Sequence, residues 1–298
     1  MENFILIGVF VLLGILLRRI EAFPKDSAQV LNMFALYVSL PALVLLKAPH
    51  ITFSSETIVT ALIPWGLLVL SVALILLGER LWGWPRSITG VLLLVVPLGN
   101  TSFLGVPVIQ AFFGPAGLNH LIVYDQVGTI LIFATYGAVI LSLYGRDSTL
   151  NLPAVARKML LFPPSIALVA GITLSPWLTS AKVVPILQSI ALTLVPMVMT
   201  AIGFQLQLKL PRRLIAPLGF GLVIKLIIAP LVVLWGCRLF GISGLSVNVS
   251  IMEAGMPPMV TAAAMAVIAG MESELAVALI GVGIVFSFGT LPLLYMIM

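Results

Sequence analysis

Pro97-Leu98-Gly99-Asn100-Thr101-Ser102, with Pro107 following, and Glu253-Ala254-Gly255-Met256-Pro257-Pro258 interrupt two long apolar runs of this 298-residue chain. Backbone that leaves the helix at bilayer depth strands N–H and C=O groups. It survives only where protein or a water-filled cavity satisfies them. Paired interruptions in corresponding places of two halves point to a transporter's binding site near the bilayer midplane. Two Pro kinks in ordinary spans are the plainer alternative.

Composition sets the class outside these breaks. The chain is 61% hydrophobic and 8% charged, against about 25% charged in soluble domains, which makes it a polytopic membrane protein. The net charge of +5 would suggest nucleic acid in a soluble protein. Here Lys and Arg lie between apolar runs, where they set orientation, and no nucleic-acid partner is expected. Phe4 to Leu17 ends in Arg18-Arg19 with no basic segment before it and no small-residue cleavage site, so a retained first helix is expected. Cys237 is the only cysteine, which excludes an intrachain disulfide and a cysteine-based metal cluster.

Ten runs approach the roughly 20 residues that a crossing helix needs: 3–18, 28–46, 57–78, 88–113, 119–144, 161–178, 184–206, 214–235, 243–269 and 273–297. Pro41 and Pro196 stand in the second and seventh of them. The expected domains are a first five-helix repeat at 1–145, a cytoplasmic linker at 146–160 and a second repeat at 161–298. Odd-numbered connections hold eleven basic residues: Arg18, Arg19, Lys25, Arg80, Arg86, Arg146, Arg157, Lys158, Lys209, Arg212 and Arg213. Even-numbered ones hold Lys47, Lys182 and Arg238. This asymmetry puts both termini outside the cytoplasm. Because five is odd, the second repeat enters from the opposite side. The expected fold is therefore all-α: ten transmembrane helices as two inverted five-helix repeats, with broken helices 4 and 9 crossing.

Eight of the ten acidic residues fall at ends or in loops: Glu2, Glu21, Asp26, Glu56, Glu79, Asp147, Glu272 and Glu274. Asp125, Glu253 and Lys225 sit inside spans, and ionisable groups at that depth default to function with a named partner. The competing expectation is an ion pair of Lys225 with Glu253 or Asp125 that only locks the bundle. Crossed broken helices gather positive N-terminal and negative C-terminal ends in a small volume. Asn100, Thr101 and Ser102 add neutral donors and acceptors suited to a carboxylate or to a cation's oxygen shell. Glu253, just before the second break, could bind Na⁺ or carry a proton. Asp125 and Thr129, four residues apart with Gln126 between, could complete that shell. Lys225 would compensate the negative helix ends.

Weaker signals fit structure better. Asn100-Thr101-Ser102 and Asn248-Val249-Ser250 match a glycosylation pattern but read as backbone-satisfying polar groups. Gly281, Gly283 and Gly289 read as helix-packing surface. His50 and His120 lack metal-ligand spacing. Tyr124-Asp125 lacks the partner motif of an intramembrane aspartyl protease.

Several stretches resemble the auxin efflux carrier family. Phe23-Pro24 to Leu43, with Leu31-Asn32 and Ser39-Leu40-Pro41-Ala42-Leu43, is similar to that family's second span, and Gly99 to Pro107 to its first crossover. Lys225 to Pro230 and Ala254 to Pro258 are similar to its bacterial members. The resemblance implies ten helices, a scaffold of spans one, two, six and seven, a transport core of the rest, and organic-anion substrates such as indole acetate, malate or malonate. Ser250 to Met256 also resembles the ninth span of the bile acid sodium symporters. That likeness implies a sodium site at Glu253, Asn100, Ser102, Asp125 and Thr129. Pro257 stands where those symporters have Gln, which argues against a second sodium site.

The resulting expectation is a secondary transporter, not an enzyme, in the cell membrane. Asn100, Thr101, Ser102, Gly255, Asn32 and Pro257 form the expected substrate-binding set. Glu253, Asp125, Thr129, Gln126 and Asn100 form the coupling-ion set, with sodium or a proton as the ion and no other metal or cofactor. The lipid bilayer and a small organic anion are the expected partners. The nearest rival is a cation/proton antiporter of the same architecture, and the oligomeric state, a homodimer included, stays open.

Overall fold

The computed structural model describes residues 2–51, 54–146, 157, 161–206 and 212–298. The expected linker at 146–160 lies almost wholly outside them, as do Asp147, Lys158 and Lys209. Among the described residues the regular structure is helical, apart from one isolated antiparallel bridge between Gly99 and Pro258.

The helices are α1 (Glu2–Leu17), α2 (Ser27–His50), α3 (Ser55–Trp82), α4 (Arg86–Val95), α5 (Gly105–Val123), α6 (124–144), α7 (Pro163–Thr173), α8 (Val183–Gln205), α9 (Arg212–Leu239), α10 (Leu245–Ala254), α11 (Val260–Ile268) and α12 (Ser273–Ile297). Among the described residues, six stretches are long and apolar enough to cross a membrane: α2, α3, α8, α9, α12 and the run Gly105–Tyr144. That last run is interrupted at Gly114, whose φ of 67° leaves the helical region before Pro115. Such a φ costs glycine nothing and an L side chain dearly. The breaks shorten their helices too: α4 and α10 have 10 residues each, about 15 Å of rise against a hydrocarbon core of about 30 Å.

The chain forms two compact units. Unit 1 is Met1–Phe53, Ser102–Ile122 and Leu160–Leu206; unit 2 is Ser54–Thr101, Val123–Met159 and Gln207–Met298. Each draws on both halves of the sequence. In unit 1, α1 and α8 cross at backbone contact. A Cβ on Gly14 would land on the Thr200 carbonyl oxygen, and one on Gly203 on that of Val11. Pro41 lacks an N–H and its ring crowds the preceding turn. The helix accommodates it with a widened turn over Ala35–Ser39. α8 loosens at 192–193, just before Leu194 and Pro196. Ser39 Oγ and Thr193 Oγ1, one beside each interruption, share a 2.7 Å hydrogen bond.

Unit 2 is built round an apolar core that includes Leu92 and Leu94 of α4, Phe133 of α6, Leu222 of α9, Ala262 of α11 and Leu279 of α12. α3 starts on a Ser54 side chain that accepts from the Thr57 N–H, and ends at Gly83 with φ 63°. Its internal Pro64 packs against α6 where only Gly128 leaves room, and Trp65 Nε1 donates to the Val127 carbonyl at 3.3 Å.

The glycine crossing in unit 1 yields a test. Gly14→Ala should cost about 1–3 kcal/mol through overpacking. Gly8→Ala on the same helix, where a Cβ meets nothing within 4 Å, should stay within about 0.5 kcal/mol. Thermal unfolding of both variants in detergent measures the difference, and equal melting temperatures would contradict the backbone contact.

Candidate functional site

Between α4 and α5 the chain is unwound from 96 to 104, and between α10 and α11 from 255 to 259. The two segments satisfy each other. The Asn100 N–H donates to the Pro257 carbonyl at 2.7 Å and the Met259 N–H to the Leu98 carbonyl at 2.9 Å, on either side of the Gly99–Pro258 bridge. Proline removes the donors that would otherwise be stranded. Of residues 255–259 only three carry an N–H: Gly255 bonds the Met252 carbonyl at 3.1 Å, Met256 that of Glu253 at 3.2 Å, and Met259 crosses to Leu98.

Gly99 lets a cation approach. A Cβ there would come within 3.1 Å of Lys225 Nζ. Lys225 lies in a widened turn of α9, Ile224–Ile228, and its buried ammonium donates to the Ala254 carbonyl at 3.0 Å. Ala254 is the last residue of α10, so the ammonium caps a negative helix end. Its hydrogen bond goes to a carbonyl and to neither acid, although Glu253 lies within its electrostatic reach.

The carboxylates differ in their surroundings. Asp125 lies in another widened turn, Tyr124–Ile130; such turns often mark functional sites. Thr101 Oγ1 donates to Asp125 Oδ1 at 2.5 Å and Gln126 Nε2 to Oδ2 at 2.7 Å. Asp125 thereby ties α6 to the first break. Thr129 is buried in the same turn. Glu253 is fully buried, 0% exposed, and neither of its oxygens has a hydrogen-bond partner. It lies within electrostatic reach of Asp125 and Lys225. The Asn100 Nδ2 is likewise buried without a partner. Buried polar groups are nearly always bonded, so two orphans beside one crossing point to a ligand.

Asn100, Thr101, Gly255, Pro257, Glu253, Asp125, Gln126, Thr129 and Lys225 all belong to unit 2, whereas Ser102 and Asn32 belong to unit 1. Gly255 has an ordinary φ of −84° and faces Leu294 and Leu291 of α12. Gly283 of α12 gives the second break its seat, since a Cβ there would come within 2.9 Å of Pro258. Neither Gly99's role toward Lys225 nor that of Gly283 has a sequence signal beyond the glycine itself. No group of three His, Cys, Asp or Glu side chains that could hold a metal occurs among the described residues.

A model of the membrane transport protein family matches residues 1–295. The chain belongs to this family, that of the auxin efflux carriers. Relatives of this membrane transport protein include an uncharacterized transporter of Methanothermobacter thermautotrophicus, 26% identical over 295 residues that cover 98% of this chain and 96% of the relative. An uncharacterized transporter of Methanocaldococcus jannaschii is 27% identical over 294 residues, covering 94% and 91%. The protein is thus a membrane transporter with several apolar helices.

The Thr101 contact is open to test. Thr101→Val keeps the shape and leaves Asp125 Oδ1 short of a donor, so it should destabilise this transporter by about 1–3 kcal/mol. Thr101→Ser should not. Thermal unfolding of the two variants checks this, and an unchanged Thr101→Val would show that the hydrogen bond contributes nothing.

Proposed function

We propose that the protein is a secondary active transporter of small organic anions, with ten transmembrane helices in two inverted repeats and both termini outside the cytoplasm. The observation that carries this reading is the crossed pair of breaks, which satisfy each other's backbone yet leave the Asn100 amide and the Glu253 carboxyl unpartnered. Asn100 Nδ2 and the positive N-terminal end of α11 suit a carboxylate. Glu253, with Asp125, Gln126 and Thr129 nearby, takes the coupling cation, either Na⁺ or a proton. A carboxylate that loses its hydration needs such a counter-charge. Lys225 holds the end of α10. An elevator-like shift of the transport core against a scaffold of spans one, two, six and seven, which the family resemblance implies, carries the substrate across.

The unpartnered Glu253 carboxyl also suits a cation/proton antiporter. Uptake of labelled carboxylates into proteoliposomes, with imposed Na⁺ or pH gradients, separates the two. The anion transporter accumulates a carboxylate. The antiporter exchanges cations whether or not one is present.

In the same assay Glu253→Gln should abolish the response to the gradient while the protein stays folded, because no hydrogen bond of the carboxyl is broken. Asn100→Ala should weaken substrate affinity by about tenfold, the loss of one hydrogen bond to a charged group. Normal coupled uptake in both variants would overturn the site. Lys225→Met leaves the Ala254 carbonyl without its donor and should cost about 1–3 kcal/mol of stability. Orientation has its own measurement: a reporter active only in the cytoplasm, fused at Met298, should be silent.

A further inference from the structure

Unit 2 carries an apolar groove of about 350 Å³ between α3 and the end of α9. Val59 and Leu70 of α3, Val232 of α9 and Phe240 just past it line the groove, with Gly66 and Gly236 among them. A Cβ on either glycine would meet nothing within 4 Å, so these positions keep the groove open and do not bring the helices into contact. Val232 and Phe240 are exposed, and α3 and α9 are both long and apolar enough to cross a membrane, so lipid is what this face meets. Val59 and Leu70 are eleven positions apart on α3, about 16 Å of rise, which is half of a hydrocarbon core of about 30 Å. The groove thus has the height of one leaflet, whereas a partner's transmembrane helix would run the full thickness. One end of it is charged. Glu56 precedes Val59 by three residues and Ile63 by seven, on the same face of α3. Its side chain is exposed and accepts one long hydrogen bond, 3.4 Å from Ser246 Oγ. Among the described residues Glu56 forms no ion pair. Arg238, next in sequence to the groove residue Cys237, donates to the Ile297 and Met298 carbonyls at the end of α12.

We infer that this groove seats one acyl chain of an ethanolamine phospholipid whose primary ammonium bonds Glu56. Charge complementarity at the mouth selects the head group. An ammonium with N–H donors makes a charge-assisted hydrogen bond to the carboxylate. A trimethylammonium keeps the charge and loses the donors, and an anionic glycerol head group is repelled. The one-leaflet height and the open glycine positions select the acyl chain over a packed helix. The site goes beyond the transport reading and shares no residue with the crossed breaks, so either can fail without the other.

The test is photocrosslinking of the full-length protein in nanodiscs, with phospholipids that carry a diazirine on one acyl chain and differ only in an ethanolamine, choline or glycerol head group. Mapping of the labelled peptides should place the ethanolamine lipid on 59–70 and 232–242, with about threefold more label there than from the choline lipid, the scale of an exposed ion pair. Glu56→Gln should level the two lipids. Gly66→Leu and Gly236→Leu, which fill the groove, should each remove the label from both segments, and size-exclusion elution like that of the unaltered protein establishes that they are folded. Glu56→Gln changes only an exposed side chain and decides the head-group preference even where a glycine variant does not fold. Equal label from all three lipids, a preference indifferent to Glu56→Gln, label that persists in folded glycine variants, or a dimer that Gly66→Leu dissociates, which would assign the groove to a second copy, would each overturn the proposal.

Discussion

Unpaired backbone is the penalty of breaking a helix inside a membrane, and the pairing of 98–100 with 257–259 is how this chain avoids it. Two cross-chain hydrogen bonds hold the breaks together. Proline at 257 and 258 removes the donors that geometry could not reach. Everything else at the site hangs on that arrangement: which side chains are left without a partner, where the α10 carbonyl end lies, and why α12 needs glycine at 283.

The ionisable residues follow the same economy of partners. Lys225 meets a helix end, Asp125 is held by Thr101 and Gln126, and Glu253 has no hydrogen bond at all. The first two arrangements explain themselves as satisfied buried polarity. A carboxyl without any such arrangement is the group that a mobile cation would use, which is why the transport reading centres on Glu253 and treats Lys225 as support.

Unit 1 is organised by different physics. Its helices approach through Gly14 and Gly203, and α2 and α8 meet through the Ser39 and Thr193 hydroxyls beside their proline interruptions. Close small-residue packing and one interhelical hydrogen bond are the usual means of joining helices where lipid removes the hydrophobic drive. In the same unit Pro115 and Gly114 free a carbonyl for Lys47.

Hydropathy, the Pro and Gly positions and the scarcity of charge were enough to read an all-helical membrane protein, the two breaks and the buried Asp125, Glu253 and Lys225 directly from the sequence. Those features follow from each residue's own solvation and backbone freedom. In 105–144 the sequence reading ends one span at 113 and starts the next at 119, and a left-handed glycine at 114 interrupts the helix there although length and composition alone run the stretch together. The partners were another matter. That Lys225 bonds Ala254 and not an acid, that Thr101 reaches Asp125, that Gly283 seats Pro258, and that Ser102 falls in unit 1 while Thr101 falls in unit 2 all depend on contacts between segments far apart in the chain. No local preference encodes them; they exist only once the packed helices fix which group faces which.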